Sequence, residues 1–378
     1  MQRQVVFTPQ TSLFLSRDRG DRHYRYTHYY VPASTIAGAV NTYLYRRGHH
    51  DLMRKFRFSN LYPQDEEDRS LVWVPSPRNL LFCPACGRSH VVETLDPAEA
   101  YESLICSCQK QALRKPHRGF VLARVDSDRW LVHGATDWQE ARRSRRMRVV
   151  DSQLIGRTPQ NRVTGIKVEH LLHAVEIIKR KDVLVEGGES KIISLFRGDV
   201  LTAGDKLTDK LKGLHLRVGG LLTRGCGYGQ LDVEDDGSSG ASPWDGGAVL
   251  VVETPLLPLP KSLEGLSSEV VTVNTTSMFA LVETCERWSV KLGRLIAFPQ
   301  VLGVGSVLWL AGPVAGPSAS MFFYRPGDQF ELHRFAHELC LGEEHPAISV
   351  KEQTLYTLAE LWSLGFGRLR RLDSLPLE

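Results

Sequence analysis

The chain has 378 residues, 42% of them apolar and 24% charged, and a formal net charge of +4. This is ordinary globular composition, with length for two or three domains that each bury a core. It excludes a disordered or uniformly basic chain, and no apolar run reaches the roughly eighteen residues of a membrane span. The opening MQRQVVFTPQ does not read as a signal peptide. A cytoplasmic protein is therefore expected, with no membrane partner, and with free thiols or metal sites in preference to disulfides.

Residues 2–15, QRQVVFTPQTSLFL, read as an opening strand. In VPASTIAGAVNTYLYRRG, Ser34 or Thr35 suits a helix cap, and Ile36, Val40 and Leu44 mark one apolar face. Residues 75–116 interrupt the pattern and read as an insertion. RGFVLARV and RWLVHGA resume as strands of the same N-terminal domain. Residues 139–165 are basic and poor in core residues, which predicts a projecting hairpin or loop. Its run EARRSRRMR holds Arg142, Arg143, Arg145 and Arg146. Further strands are expected in GIKVEHLLHAVEIIKRKDVLVEG and KIISLFRGDVL, then helix or mixed structure over DKLKGLHLRVG, and a closing strand at QLDVE.

This strand–helix–strands–helix–strand order is that of a split βαβ, ferredoxin-like domain, over residues 1–235. Residues 236–247 read as a linker by composition. A second domain then covers 248–378 and ends in TLYTLAELWSLGFGRLRRLD, a helical pattern, a G-F-G turn and a strand. That ending echoes GGLLTRGCGYGQLDV. The expected fold is α+β, two ferredoxin-like domains in tandem.

Four of the seven cysteines form Cys83-x-x-Cys86 and Cys106-x-Cys108. Thiolates on two tight turns converge on one tetrahedral Zn²⁺, and CPACG has the composition of such a knuckle. The second pair is short, so His90 or His117 remains an alternative to one thiolate. Neither H-x-E nor H-E-x-x-H is present, which favours a structural over a catalytic ion. Cys226, Cys285 and Cys340 are isolated and read as small buried hydrophobes.

The stretch 219–229 packs five glycines into eleven positions: Gly219, Gly220, Gly225, Gly227 and Gly229. Gly220 and Gly225 have P-loop spacing, but Cys226 and Gly227 stand where Lys and Ser/Thr belong. A Rossmann fingerprint follows a strand and opens a helix, which is not the order here. The expectation is a loop whose bare backbone lets a phosphate or sugar approach, with Arg224 for charge and Tyr228 as a stacking plane. The bland alternative is a sharp turn that lets sheets pack.

Taken in order, these stretches resemble the RAMP superfamily of CRISPR effector subunits. VPASTIAGAVNTYL is similar to that family's first helix, VEGGESKIISLFRGDVL to the strand region ending in F-x-G, and GGLLTRGCGYGQLDV to its glycine-rich loop. RWSVKLGRLIAFPQVLGVGSVLWL resembles a segment of the two-domain subtype III-D subunit, and the zinc-knuckle insertion suits that group.

The resemblance implies a non-catalytic subunit that holds the 5′ end of the CRISPR RNA and assembles with other effector subunits, meeting target RNA indirectly. Ser34, Thr35, the glycine loop with Arg224 and Tyr228, and Arg142, Arg143, Arg145 and Arg146 are then the expected RNA contacts. An endoribonuclease using Asp137, Asp151, His170 or His173, and a zinc-stabilised protein-interaction module, are the competing functions.

Overall fold

The computed structural model describes residues 2–16, 24–53, 55–65, 68–82, 89–91, 105–106, 111–112, 119–125, 129–133, 152–157, 173–180, 182–184, 190–192, 195–202, 205–234, 249–256, 281–289, 294–309, 329–331, 355–357 and 365–375. The chain divides into two compact units, residues 1–69 with 148–237, and residues 70–147 with 238–378. Strands dominate both, and α1 (Ala33–Arg46) is the one helix longer than a single turn among the described residues.

The first unit is built on an antiparallel sheet of β1 (Gln2–Pro9), β2 (Arg57–Phe58), β3 (Tyr62–Pro63), β4 (Phe196–Leu201), β5 (Leu214–Arg217) and β6 (Tyr228–Glu234). Their order is β5-β6-β1-β4-β2, with β3 also on β4. Alternation explains the strands: Val5 and Phe7, Leu214 and Leu216, and Leu231 and Val233 point to one face and are buried. Ile36, Val40 and Leu44 of α1 pack on that face together with Phe196 and Val200. Each such side chain contributes about 1.5–3 kcal/mol by leaving water.

The cap of α1 differs from the expectation. Pro32 holds the cap position in extended conformation, and Ser34 and Thr35 lie inside the first turn. The orphan N–H of Ala33 donates instead to Oδ1 of buried Asn60 at 2.9 Å. Asn60 belongs to the 59–61 step between β2 and β3. A Cβ at Gly198 would stand 2.5 Å from the Asn60 carbonyl and 2.6 Å from Ser59 Oγ. The glycine of Phe196-Arg197-Gly198 is therefore fixed by the close passage of this step.

Beside the sheet, Ser152–Arg157, His173–Ile178 and Tyr24–Arg25 form a three-stranded sheet. Part of the expected 139–165 projection is thus an ordinary paired strand, while residues 139–151 lie outside the described residues. Glu176 ties this sheet together, accepting from Thr27 N–H at 3.2 Å, Tyr29 Oη at 2.8 Å and Ser152 Oγ at 2.9 Å.

In the second unit a six-stranded sheet runs Val307–Trp309, Val249–Val252, Leu369–Leu375, Arg129–His133, Phe120–Val125, Leu71–Pro75. Arg129–His133 pairs parallel with Leu369–Leu375. RGFVLARV and RWLVHGA, expected in the N-terminal domain, therefore share a sheet with the C-terminal strand. Strand periodicity says which residues pair but not with whom, so this long-range partner was invisible in sequence. Leu355–Thr357, expected to open a helix, pairs as a strand with Gln329–Glu331.

The echo between the halves extends to their first strands. Val5-Val6-Phe7-Thr8-Pro9 matches Val251-Val252-Glu253-Thr254-Pro255, and each pairs antiparallel with the strand after a glycine–aromatic–glycine turn. Where the first copy buries Phe7, the second buries Glu253, whose Oε2 lies 2.8 Å from Nε of both Arg368 and Arg370. All three side chains are at most 2% exposed.

Candidate nucleic-acid interface

The glycine-rich loop joins two strands of one antiparallel pair. β5 precedes it, with Arg217 opposite Tyr228 in the ladder, so the expected helix ahead of the loop is a short helix Asp205–Thr208, a 3₁₀ turn Asp209–Leu211, and then a strand. The alternation Leu214-His215-Leu216-Arg217 carried that signal: inward leucines, outward histidine and arginine.

The loop is sewn to residues 10–15. Gly220 N–H donates to Phe14 O at 2.8 Å, Gly227 N–H to Ser12 O at 2.8 Å, and Gln10 N–H to Tyr228 O at 2.8 Å. Tyr228 N–H donates to Thr11 Oγ1 at 2.9 Å. Leu13, on the same segment, exchanges two 2.8 Å backbone bonds with Ile178. Leu221, the one non-glycine residue at positive φ (57°) among those described, packs on Phe14, Val175 and Ile177.

Close packing around the loop accounts for four of the five glycines. A Cβ would stand 2.4 Å from Phe14 O at Gly219, 2.9 Å from the Phe14 ring at Gly220, 2.3 Å from Val218 O at Gly227 and 2.5 Å from the Phe7 ring at Gly229. Gly219 and Gly227 also have φ of 86° and 84°. The space left by their missing side chains is filled by the protein itself, not held open for a ligand. Only Gly225 faces open space, and its φ of 80° is what requires glycine there.

What the loop presents outward is a small aromatic and cationic cluster. Tyr228 is 39% exposed and stacks on His215, with centroids 5.7 Å apart and planes 9° from parallel. Arg217, directly across the ladder from Tyr228, projects from the same face. Arg224 is exposed at the tip, its own N–H occupied by Leu221 O at 2.9 Å. No ion pair among the described residues engages Arg217 or Arg224. Further along this face Arg197 pairs with Glu234 at 2.6 Å and bonds Gln4, while Asp232 accepts from Gln230 Nε2 and Gly213 N–H.

Sequence reasoning named Tyr228 and Arg224 and did not name His215 and Arg217. All four lie on the hairpin formed by β5, the glycine loop and β6. Ser34 and Thr35 sit on α1, which packs against the opposite face of the sheet. Arg142, Arg143, Arg145, Arg146, Asp137, Asp151 and His170 lie outside the described residues. So do Cys83, Cys86, Cys108 and His117. Cys106 opens a hairpin in which it pairs with Gln111, and Phe82 pairs with Ser89 in another. No group of three or more metal-ligating side chains occurs among the described residues. None of the described helices is long and apolar enough to cross a membrane.

No family model and no curated relative matches the chain. Among solved structures it is similar, at 10% identity over 81% of its length and 86% of the other chain, to a chain of the type III-B Cmr-beta complex bound to cognate target RNA and AMPPnP, with a TM-score of 0.47. It is also similar to a chain of the Csm3–Csm4 subcomplex of a type III-A CRISPR-Cas interference complex (12% identity, 83% and 94% covered, TM-score 0.34). Cmr4 from Pyrococcus furiosus matches at 12% identity, 62% and 100% coverage and a TM-score of 0.23.

Proposed function

We propose that this chain is a non-catalytic RNA-binding subunit of a type III CRISPR effector complex, holding the 5′ end of the CRISPR RNA and docking neighbouring subunits. The observation that carries the reading is the exposed His215–Tyr228 stack, with Arg217 opposite Tyr228 in the ladder and Arg224 exposed in the loop that joins the two strands, on a sheet whose other face is closed by α1. Single-stranded RNA is bound by splaying its bases onto such planes while guanidinium groups take the phosphates. The sheet order of the first unit, with α1 between β1 and β2, supports the ferredoxin-like reading on which the RAMP resemblance rests. The paired first and last strands of the second unit support a tandem arrangement.

Within this reading Gly219 and Gly220 let the loop close on Phe14, Gly227 and Gly229 let it close on Val218 and Phe7, and this packing sets the direction of Tyr228. The subunit also holds one structural Zn²⁺ on Cys83, Cys86, Cys106 and Cys108. The antiparallel pairings Phe82–Ser89 and Cys106–Gln111, which stand next to the two cysteine pairs in sequence, support that assignment. Zinc would supply folding free energy there and no chemistry.

Labelled repeat-derived RNA incubated with the full chain tests the function. Retention without cleavage, weakened in Tyr228→Ala and in Arg217→Gln/Arg224→Gln, is expected. Cleavage by the chain, abolished in Asp137→Ala or Asp151→Ala, would establish an endoribonuclease instead.

A further inference from the structure

The C-terminal end of α1 carries a second cluster, remote in sequence from the glycine loop. Residues 43–55 read YLYRRGHHDLMRK. The helix stops in a Schellman turn: Gly48, at φ 77°, donates to Tyr45 O at 3.1 Å, and His49 N–H donates to Leu44 O at 2.9 Å. Arg47 N–H lies 3.1 Å from both Tyr43 O and Leu44 O. Backbone amides thus satisfy the last-turn carbonyls, and the arginine side chains are not needed as caps. The helix dipole accounts for a favourable positive charge here, but not for its aromatic company.

That company is unusual in its exposure. Tyr45 is 62% exposed, the highest value for a large hydrophobic side chain among the described residues, and meets His50 edge-on at 5.0 Å. The Arg47 guanidinium lies 5.6 Å from the Tyr43 ring centre. Arg46, Arg47, His49, His50 and Lys55 are all exposed, against one carboxylate, Asp51, among the described residues of this stretch. A positively charged track interleaved with aromatic planes is the combination that binds single-stranded nucleic acid without reading sequence.

We propose that this helix end is a second contact for single-stranded RNA, with Arg46, Arg47 and Lys55 on phosphates and Tyr45 beneath a base. It rests on the RNA-binding reading above but uses none of the loop residues. An acidic protein surface would be served by the cations alone and gives no role to the exposed tyrosine.

The test titrates the full chain into fluorescein-labelled oligouridylate and follows anisotropy over a range of salt. Tyr45→Ala should weaken binding about tenfold at fixed salt and leave the salt slope unchanged, since stacking carries no counterions. Arg46→Gln/Arg47→Gln should reduce the slope by about 1.4, two single-strand phosphates' worth. Both sites are exposed, so melting temperatures should stay at the parent value. If Arg217→Gln/Arg224→Gln weakens binding while the Tyr45 and Arg46/Arg47 variants bind like the parent, this proposal alone is overturned. If the parent chain binds no RNA, the reading beneath it fails as well. If the Arg46/Arg47 variant keeps its RNA affinity but loses a protein neighbour, the surface belongs to protein and the proposal is wrong.

Discussion

Alanine at Gly227 and alanine at Gly225 separate two explanations of the glycine loop. Both residues have φ near 80°, so each substitution forces a left-handed conformation costing about 1–2 kcal/mol. At Gly225 the new Cβ meets nothing within 4 Å. At Gly227 it stands 2.3 Å from Val218 O and 2.7 Å from Leu222 Cδ2, and the Val218 backbone is itself tethered by its N–H donating to Gly227 O at 2.7 Å. Overpacking of this kind adds about 1–3 kcal/mol. Gly225→Ala should therefore lower stability by about 1–2 kcal/mol and Gly227→Ala by about 2–5 kcal/mol. Urea unfolding followed by tryptophan fluorescence measures both, with unchanged m-values as the check that the same transition is observed. Equal losses at the two positions would refute the close packing. So would an intact Gly227→Ala protein that had lost only RNA, because the room would then belong to the ligand.

Asn60→Ala should cost about 1–3 kcal/mol by stranding the Ala33 N–H, whereas Ser34→Ala and Thr35→Ala should stay within about 0.5 kcal/mol, all read by urea midpoints. Glu253→Gln removes the carboxylate shared by two buried guanidinium groups and should destabilise the second unit by about 3–5 kcal/mol in chemical denaturation; a neutral result would mean the triad is not buried as described. Metal analysis should find one equivalent of zinc per chain, and Cys83→Ser should lose it and expose the 75–116 segment to limited proteolysis. Zinc retained in full by Cys83→Ser would remove that residue from the ligand set.

Much of the first unit was legible because its elements are amphipathic and local. Ile36, Val40 and Leu44 fall one turn apart, and Val5 and Phe7 alternate, so period alone placed α1 and β1. The cap was not legible because Asn60 is 27 residues from the Ala33 amide it serves, whereas capping patterns are local and point to Ser34 and Thr35. The strand Leu214–Arg217 was submerged in a mixed reading, since four alternating residues beside a helix-like DKLK give a weak signal, and His215 and Arg217 were missed with it. The glycines were recognised as demanding close approach, which they are, but sequence cannot say what approaches. Phe14 and Val218 do. In the second unit the parallel pairing of Arg129–His133 with Leu369–Leu375 spans most of the chain, a partnership that no local pattern encodes.

The most direct test of the central claim is a photocrosslink. RNA carrying a single 4-thiouridine at its 5′ end, irradiated in complex with the full chain and mapped by mass spectrometry, reports which side chains lie against that nucleotide. The account predicts adducts on Tyr228 or His215, reduced when Arg217 and Arg224 are replaced by glutamine. Adducts confined to other parts of the chain, and indifferent to those replacements, would contradict it.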